Sequence, residues 1–321
     1  MRYLLRRLAQ TIFVVVVVTF LTSVALRFIP GGNEVIIALK TGPGANPEQA
    51  EAVIHDLGLD RSVIEQYLMW VGDFVSGDWG QTFQTNQSIA TEFKRALPVS
   101  AYLMVYAQVI ALALAVPIAL LSAYRQNSRF DRLASTATFG MLSLPNFIVA
   151  PILVLLFSVQ RHWFPFPSIY HGLWDAPLDH IKAFALPSIT IAIPLYAGYM
   201  RVLRADVIGT LQSDFITTAR AKGVSTRALL LKHALRPSLF SLVTSAAVQV
   251  GALMGGVVIV ESYFSMNGMG RVTVEGIFKK EYTTVQYGVA LIALVYLAVN
   301  LLVDLTYAWI DPRVRRARAL G

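Results

Sequence analysis

The segment SDFITTARAKGVSTRALLLKHALRP, residues 213–237, decides how the rest of the chain is read. It is basic and amphipathic, and it lies between two long uncharged runs. Ser213 stands where a helix N-cap is expected, Ile216 through Lys222 reads helical, and Gly223 sits where a helix stops. Ser225 is placed to cap a second helix running to Arg236, with Pro237 closing it. A loop that only turns a chain around between membrane spans needs no such order. An ordered one offers a surface for another protein to grip, against the plainer reading of a solvated basic loop.

The surrounding composition supplies the membrane. Of 321 residues, 55% are hydrophobic and 14% charged, and the mean hydropathy is +0.57. Soluble domains carry roughly a quarter charged residues. A bilayer span needs about 20 apolar residues, and six uncharged runs qualify: 8–26, 99–124, 133–160, 183–200, 238–260 and 283–303. The first also competes as a cleaved signal peptide, but its apolar core is long and no small-x-small site follows before Pro30. The expected fold is therefore an all-α membrane protein with six transmembrane helices.

Basic residues set the orientation. With the N-terminus inside, the inner segments hold 17 of the 27 Lys and Arg but only four acids, Asp131, Asp206, Asp214 and Asp311. Both termini are then cytoplasmic and residues 205–237 form a cytoplasmic loop. The pI of about 9.7 belongs to loops beside an anionic inner leaflet, so lipid and not nucleic acid is the implied partner. Four regions follow: a first transmembrane helix (1–28), an extracytoplasmic segment (29–98), a five-helix core (99–310) and a basic tail (311–321). Within the second, Val63, Tyr67, Trp70, Val71 and Phe74 share one helical face. That pattern predicts a helix lying on the membrane or on neighbouring spans.

Catalytic chemistry is missing from the pattern. No phosphate-cradling G-x-x-x-x-G-K-[ST] occurs, and Gly268-Met-Gly270 lacks the third glycine of a dinucleotide loop. Without cysteine, disulfides and thiolate metal sites are excluded. His162, His171 and His180 share a segment with Asp175 and Asp179, at spacings that match no zinc pattern. Interfacial packing is the expected role of these histidines. Glu261 and Asp304 fall near span ends, where capping or snorkelling is expected of them. A proton-coupled transporter would need an ionisable group deep in a span, and a membrane-embedded enzyme would need paired acids at one surface.

At Thr217–Gly223 the sequence TTARAKG resembles the coupling-loop signature of ABC importer permeases. Ala219 and Gly223 fall on that motif's second Ala and its Gly; Thr217 replaces the general Glu and Thr218 the first Ala. The form Thr-Ala-Arg-Ala-Lys-Gly is similar to the dipeptide/oligopeptide class. Arg236 stands where the general motif has Pro, and Pro237 comes one position later. Further blocks resemble the same family in the same order: LGLDRSVIEQYLMWVGDFVSGDWG (57–80), ALPVSAYLM (96–104), SRFDRL (128–133), GGVVIVESYF (255–264) and NLLVDLTYAWIDPRVR (300–315).

The resemblance implies a type I ABC importer permease fold. It also implies a second homologous permease subunit, two ATPase subunits that bind ATP and Mg, an extracytoplasmic substrate-binding protein, and no cofactor in this chain. It places Asp214, Thr217, Thr218, Ala219, Arg220, Ala221, Lys222 and Gly223 in the ATPase-coupling loop. The implied cargo is peptide, with nickel chelates, glutathione or haem as alternatives within the class. Weakly polar residues within the spans, namely Asn146, Thr190, Tyr196, Tyr199, Thr244 and Gln249, are candidates to line the path, together with Ser143 and Asn300.

Overall fold

A computed structural model describes residues 2–28, 37–38, 41, 46–56 and 60–310; the basic tail, most of residues 29–45 and the side chain of Asp304 lie outside the described residues. Among these, helices make up the regular structure, and the only β pairing is an isolated bridge between Gln81 and Ser88. In chain order the helices are α1 (Arg2–Arg27), α2 (Pro47–Asp56), α3 (Val63–Ser76), α4 (Ile89–Tyr124), α5 (Arg129–Ser143) and α6 (Asn146–Leu153). They continue as α7 (Pro177–Leu211), α8 (Asp214–Ala221), α9 (Thr226–Ala228), α10 (Leu235–Tyr263), α11 (Met269–Phe278) and α12 (Tyr282–Ile310).

Among the described residues, three stretches are long and apolar enough to cross a membrane: Ile89–Tyr124, Pro177–Leu211 and Tyr282–Leu302. The run at 133–160 is not one rod. It breaks between α5 and α6 with a bend of 105°, because Leu144 and Pro145 are both extended and Pro145 disfavours helix in the residue before it. The α9–α10 stretch is also bent, by 60°. Counting each bent pair as one span gives five, and Ile12–Leu26 is a shorter apolar helix.

The chain forms two compact units, residues 1–100 with 267–298, and residues 101–266 with 299–321. The first is organised by the amphipathic helix α3. Ser62 and Glu65 close a capping box at its start, and Gly77 ends it at φ +83°. Its apolar face docks on neighbouring helices. Tyr67 stacks edge-on against Phe20 at 5.3 Å and its hydroxyl lies 2.8 Å from that of Thr19, both on α1. Trp70 and Phe74 pack on Tyr287 of α12, with Trp79 stacked on Tyr287 at 5.0 Å. Of the two placements open to this face, neighbouring helices are the one observed.

The second unit is built on α7, packed against α5, α6 and α10. Where α7 meets α10, a methyl group at Gly198 would come within 2.8 Å of the Gln249 side-chain amide nitrogen. On α4, Leu103, Ala107, Ala111, Ala115, Ala119 and Ala123 form a buried stripe. Alanines at this spacing let helices approach without a hydrophobic drive from water.

Candidate functional site

The loop between α7 and α10 is a small folded element. α8 starts at Asp214, two residues earlier than the sequence suggests, and ends in a complete Schellman turn. Val224 N–H donates to the Ala219 carbonyl at 3.2 Å and Gly223 N–H to the Arg220 carbonyl at 3.0 Å. Gly223 takes φ +76°, the left-handed conformation that a side chain makes costly. Ile216 and Ala219 point inward and are buried with Leu229, while Leu211 and Val224 pack around them. The loop therefore has its own core.

One expectation for this segment holds in position only, and another is corrected. Ser213 occupies the N-cap position, but its hydroxyl donates to the Thr210 carbonyl at 2.6 Å and makes no cap bond to α8. That bond to the last turn of α7 orients the hydroxyl away from the N–H groups of α8. Pro237 does not close a helix either. Ser225 does cap α9, accepting from Ala228 N–H at 3.4 Å, but α9 then widens into a π turn over Leu229–Ala234 and continues as α10. In that turn Leu235 N–H bonds the Leu230 carbonyl, five residues back. The widening comes directly ahead of Pro237, where a ring without an N–H would press on the preceding turn.

The residues of the resemblance divide by face. Asp214, Thr217, Thr218, Arg220, Ala221, Lys222 and Gly223 are exposed, as is Phe215; Ala219 is buried. The outer surface of α8 thus offers cations, hydroxyls and one aromatic ring, and Ala219 serves the inside. Thr210 and Ser238 hydroxyls meet at 3.3 Å and tie the end of α7 to the start of α10.

Several of the candidate path residues have partners close by. Thr190 is buried and donates to the Leu186 carbonyl at 2.8 Å, and Thr244 to the Phe240 carbonyl at 2.8 Å. Tyr199 is buried and donates to Gln108 at 2.9 Å; Tyr196 is buried beside it in sequence. Asn146 lies against Gly256 and Gln249 against Gly198, each filling a helix crossing. Ser143 donates to the Phe139 carbonyl.

Three buried polar groups make contacts that the sequence does not show. Asp131, in the block SRFDRL, is buried and receives Arg204 through two bonds, 2.6 Å to Oδ1 and 2.7 Å to Oδ2. Glu281 is buried and accepts the backbone N–H groups of Phe83 and Gln84, each at 2.8 Å. His180 is buried, with Nε2 3.0 Å from the Tyr106 hydroxyl and Nδ1 2.6 Å from the His171 carbonyl. Arg204, Tyr106 and Phe83 lie 73, 74 and 198 residues from their partners and give no local signal. Glu261, placed at a span end by its sequence, is fully buried.

Comparison with known proteins fits this architecture. Residues 115–316 match the profile of the binding-protein-dependent transport system inner membrane component, and residues 1–104 match the N-terminal part of such membrane components. The chain is 36% identical over 331 residues to the oligopeptide transport system permease protein OppB of Mycobacterium tuberculosis, covering 98% of this chain and 99% of that one. It is 34% identical over 314 residues to a Brucella abortus protein provisionally named a peptide transport system permease, covering 97% and 98% of the two chains. A peptide ABC transporter permease of Sinorhizobium fredii, also provisionally named, is 32% identical over 316 residues, covering 98% and 99%.

Proposed function

The chain belongs to the family of binding-protein-dependent transport system inner membrane components, and from that premise we propose that it is one permease subunit of an ATP-driven importer of di- and oligopeptides. The family is one of inner-membrane transport subunits without a catalytic site of their own. In our reading the chain crosses the membrane six times, with the shorter apolar helix Ile12–Leu26 as the first crossing and both termini cytoplasmic. A second homologous permease completes the passage, two ATPase subunits supply the energy, and an extracytoplasmic binding protein delivers cargo.

The observation that carries this reading is the folded loop between α7 and α10. Its small core of Ile216, Ala219 and Leu229, with Leu211 and Val224 packed on it, holds α8 in shape. The exposed side of α8, with Asp214, Thr217, Thr218, Arg220, Ala221, Lys222 and Gly223, is then free to dock on an ATPase. Peptide as cargo is supported by the names of near-full-length relatives. Weakly polar groups spread along the spans favour a wide, low-affinity passage, because a tight charged site would hold one end of a peptide and slow release. Selection then occurs in the binding protein.

Co-purification tests the assembly. A tagged chain extracted in mild detergent should bring down a second permease and two ATPase chains, and the complex should take up radiolabelled trialanine when its binding protein is supplied. Recovery of the chain alone under conditions that preserve other membrane complexes would count against the reading.

A further inference from the structure

The Asp131–Arg204 pair lies away from the exposed face of α8, yet it is wired to it. Arg204 stands on α7 seven residues before Leu211, about two helical turns. α7 runs unbroken from one to the other, and Leu211 packs into the core of the loop with Ile216, Ala219 and Leu229. Displacement of α8 therefore reaches Arg204 through a stiff rod.

At the other end the guanidinium fork grips a corner. Both Asp131 oxygens are engaged by Arg204. The Ser122 hydroxyl, from the end of α4, donates to Oδ1 of the same carboxylate and accepts from Arg204 Nε at 3.2 Å. Asn127 N–H donates to Oδ2 at 2.9 Å, and Asn127 itself sits at φ +65° in the turn between α4 and α5. Its carbonyl accepts two bonds from Arg132. Ser128 caps α5 by accepting from Asp131 N–H at 3.2 Å. One carboxylate thus joins the end of α4, the turn, the start of α5 and the C-terminal part of α7.

The choice of residues is informative. Buried ion pairs add little stability compared with apolar packing of the same volume, and their best-attested use is to fix register. A fork on a carboxylate also resists rotation in a way that a single ammonium contact does not.

We propose that Arg204 and Asp131 are positioning residues for transport: they latch the α4–α5 corner to α7, so that the corner and the loop 213–237 move as one body when the ATPases close. This rests on the reading of that loop as the ATPase contact. The latch makes the inner ends of three spans a single lever. Without it, motion of α8 would bend α7 locally and leave α4 and α5 behind.

The test uses the assembled complex and needs no knowledge of the cargo. The chain has no cysteine, so spin labels can be placed by Gln126→Cys and Gln212→Cys, both at exposed positions flanking the latch. In the otherwise native complex the distance between labels should stay within about 2 Å between the nucleotide-free and vanadate-trapped states. Asp131→Asn keeps the shape but loses the charge, and Arg204→Gln removes the fork from the other side. Either variant should broaden and shift the trapped-state distance and cut stimulation of ATP hydrolysis by the binding protein at least fivefold, while basal hydrolysis persists. A native label pair that moves on trapping would overturn the latch, even if both variants failed to assemble. So would variants that assemble and keep both the fixed distance and full stimulation. Absence of any ATPase in the purified native complex is a different result, and it overturns the assignment of the loop itself.

Discussion

Val224 N–H donates to the carbonyl of Ala219 across a turn in which Gly223 is left-handed. That single bond folds the residue after the turn back onto the small core of the loop, where Val224 packs beside Ala219. The shape of α8 depends on it.

Substitution at Gly223 should separate strain from exclusion. A methyl group there meets nothing within 4 Å, so Gly223→Ala pays only for the left-handed backbone, about 1–2 kcal/mol. Gly223→Pro cannot adopt φ +76° at all. Uptake by the reconstituted complex should fall modestly for Ala and be lost for Pro, while both chains still insert in the membrane. Normal uptake with Pro would make the loop a mere linker.

Ala219 and Thr218 are neighbours with opposite fates. Ala219→Glu places a charge in the core beside Ile216 and Leu229 and should open the loop from inside, visible as new trypsin cleavage at Arg220 or Lys222 in the purified chain. Thr218→Glu, on the exposed side, should leave cleavage unchanged and weaken ATPase binding. Equal protease resistance in both variants would contradict the packing.

How much of this was legible beforehand depends on the range of each interaction. Gly223 and Ser225 act on residues within a turn, so their roles show in the sequence. So does the face of α3, because Tyr67, Trp70 and Phe74 repeat at helical spacing. Pro145 marks a kink in the run 133–160, but hydropathy carries no information on its angle or direction. Ser213 does hold the N-cap position, but nothing local shows that its hydroxyl turns to the Thr210 carbonyl instead of capping α8. Pro237 was read as a stop because nothing local announces a π turn. Asp131 and Glu281 were invisible as site residues because Arg204 and Phe83 lie 73 and 198 residues away from them.

Glu281 offers a stability test in the first unit. Its buried carboxylate accepts the Phe83 and Gln84 N–H groups, so Glu281→Ala removes both bonds, at about 0.5–1.5 kcal/mol each. Glu281→Gln keeps one good acceptor and should lose roughly half as much. Thermal unfolding of the detergent-solubilised chain, followed by Trp79 and Trp70 fluorescence, should rank native above Gln above Ala.

Topology can be read with the same cysteine-free background. Cysteines at Ser128 and Ser225 should be shielded from a membrane-impermeant thiol reagent applied to intact cells, and one at Ser76 should react. Labelling of Ser225→Cys from outside would invert the proposed orientation.

Alanine at Asn146, Thr244 or Gln249 should lower uptake no more than a few-fold and leave the ranking of competing peptides unchanged. Asn146 and Gln249 fill helix crossings and Thr244 bonds its own helix, so none is built as a recognition site. A switch in peptide preference at any one of them would place selection inside the permease.

The central claim is that this chain is a passive membrane element driven by ATPases and fed by a binding protein. The most direct measurement is uptake of radiolabelled trialanine by proteoliposomes containing the co-purified complex, with ATP and a proton gradient applied separately. The account predicts uptake with ATP and the binding protein together, abolished by vanadate and indifferent to the gradient. Uptake driven by the gradient alone, without ATP or the binding protein, would contradict it.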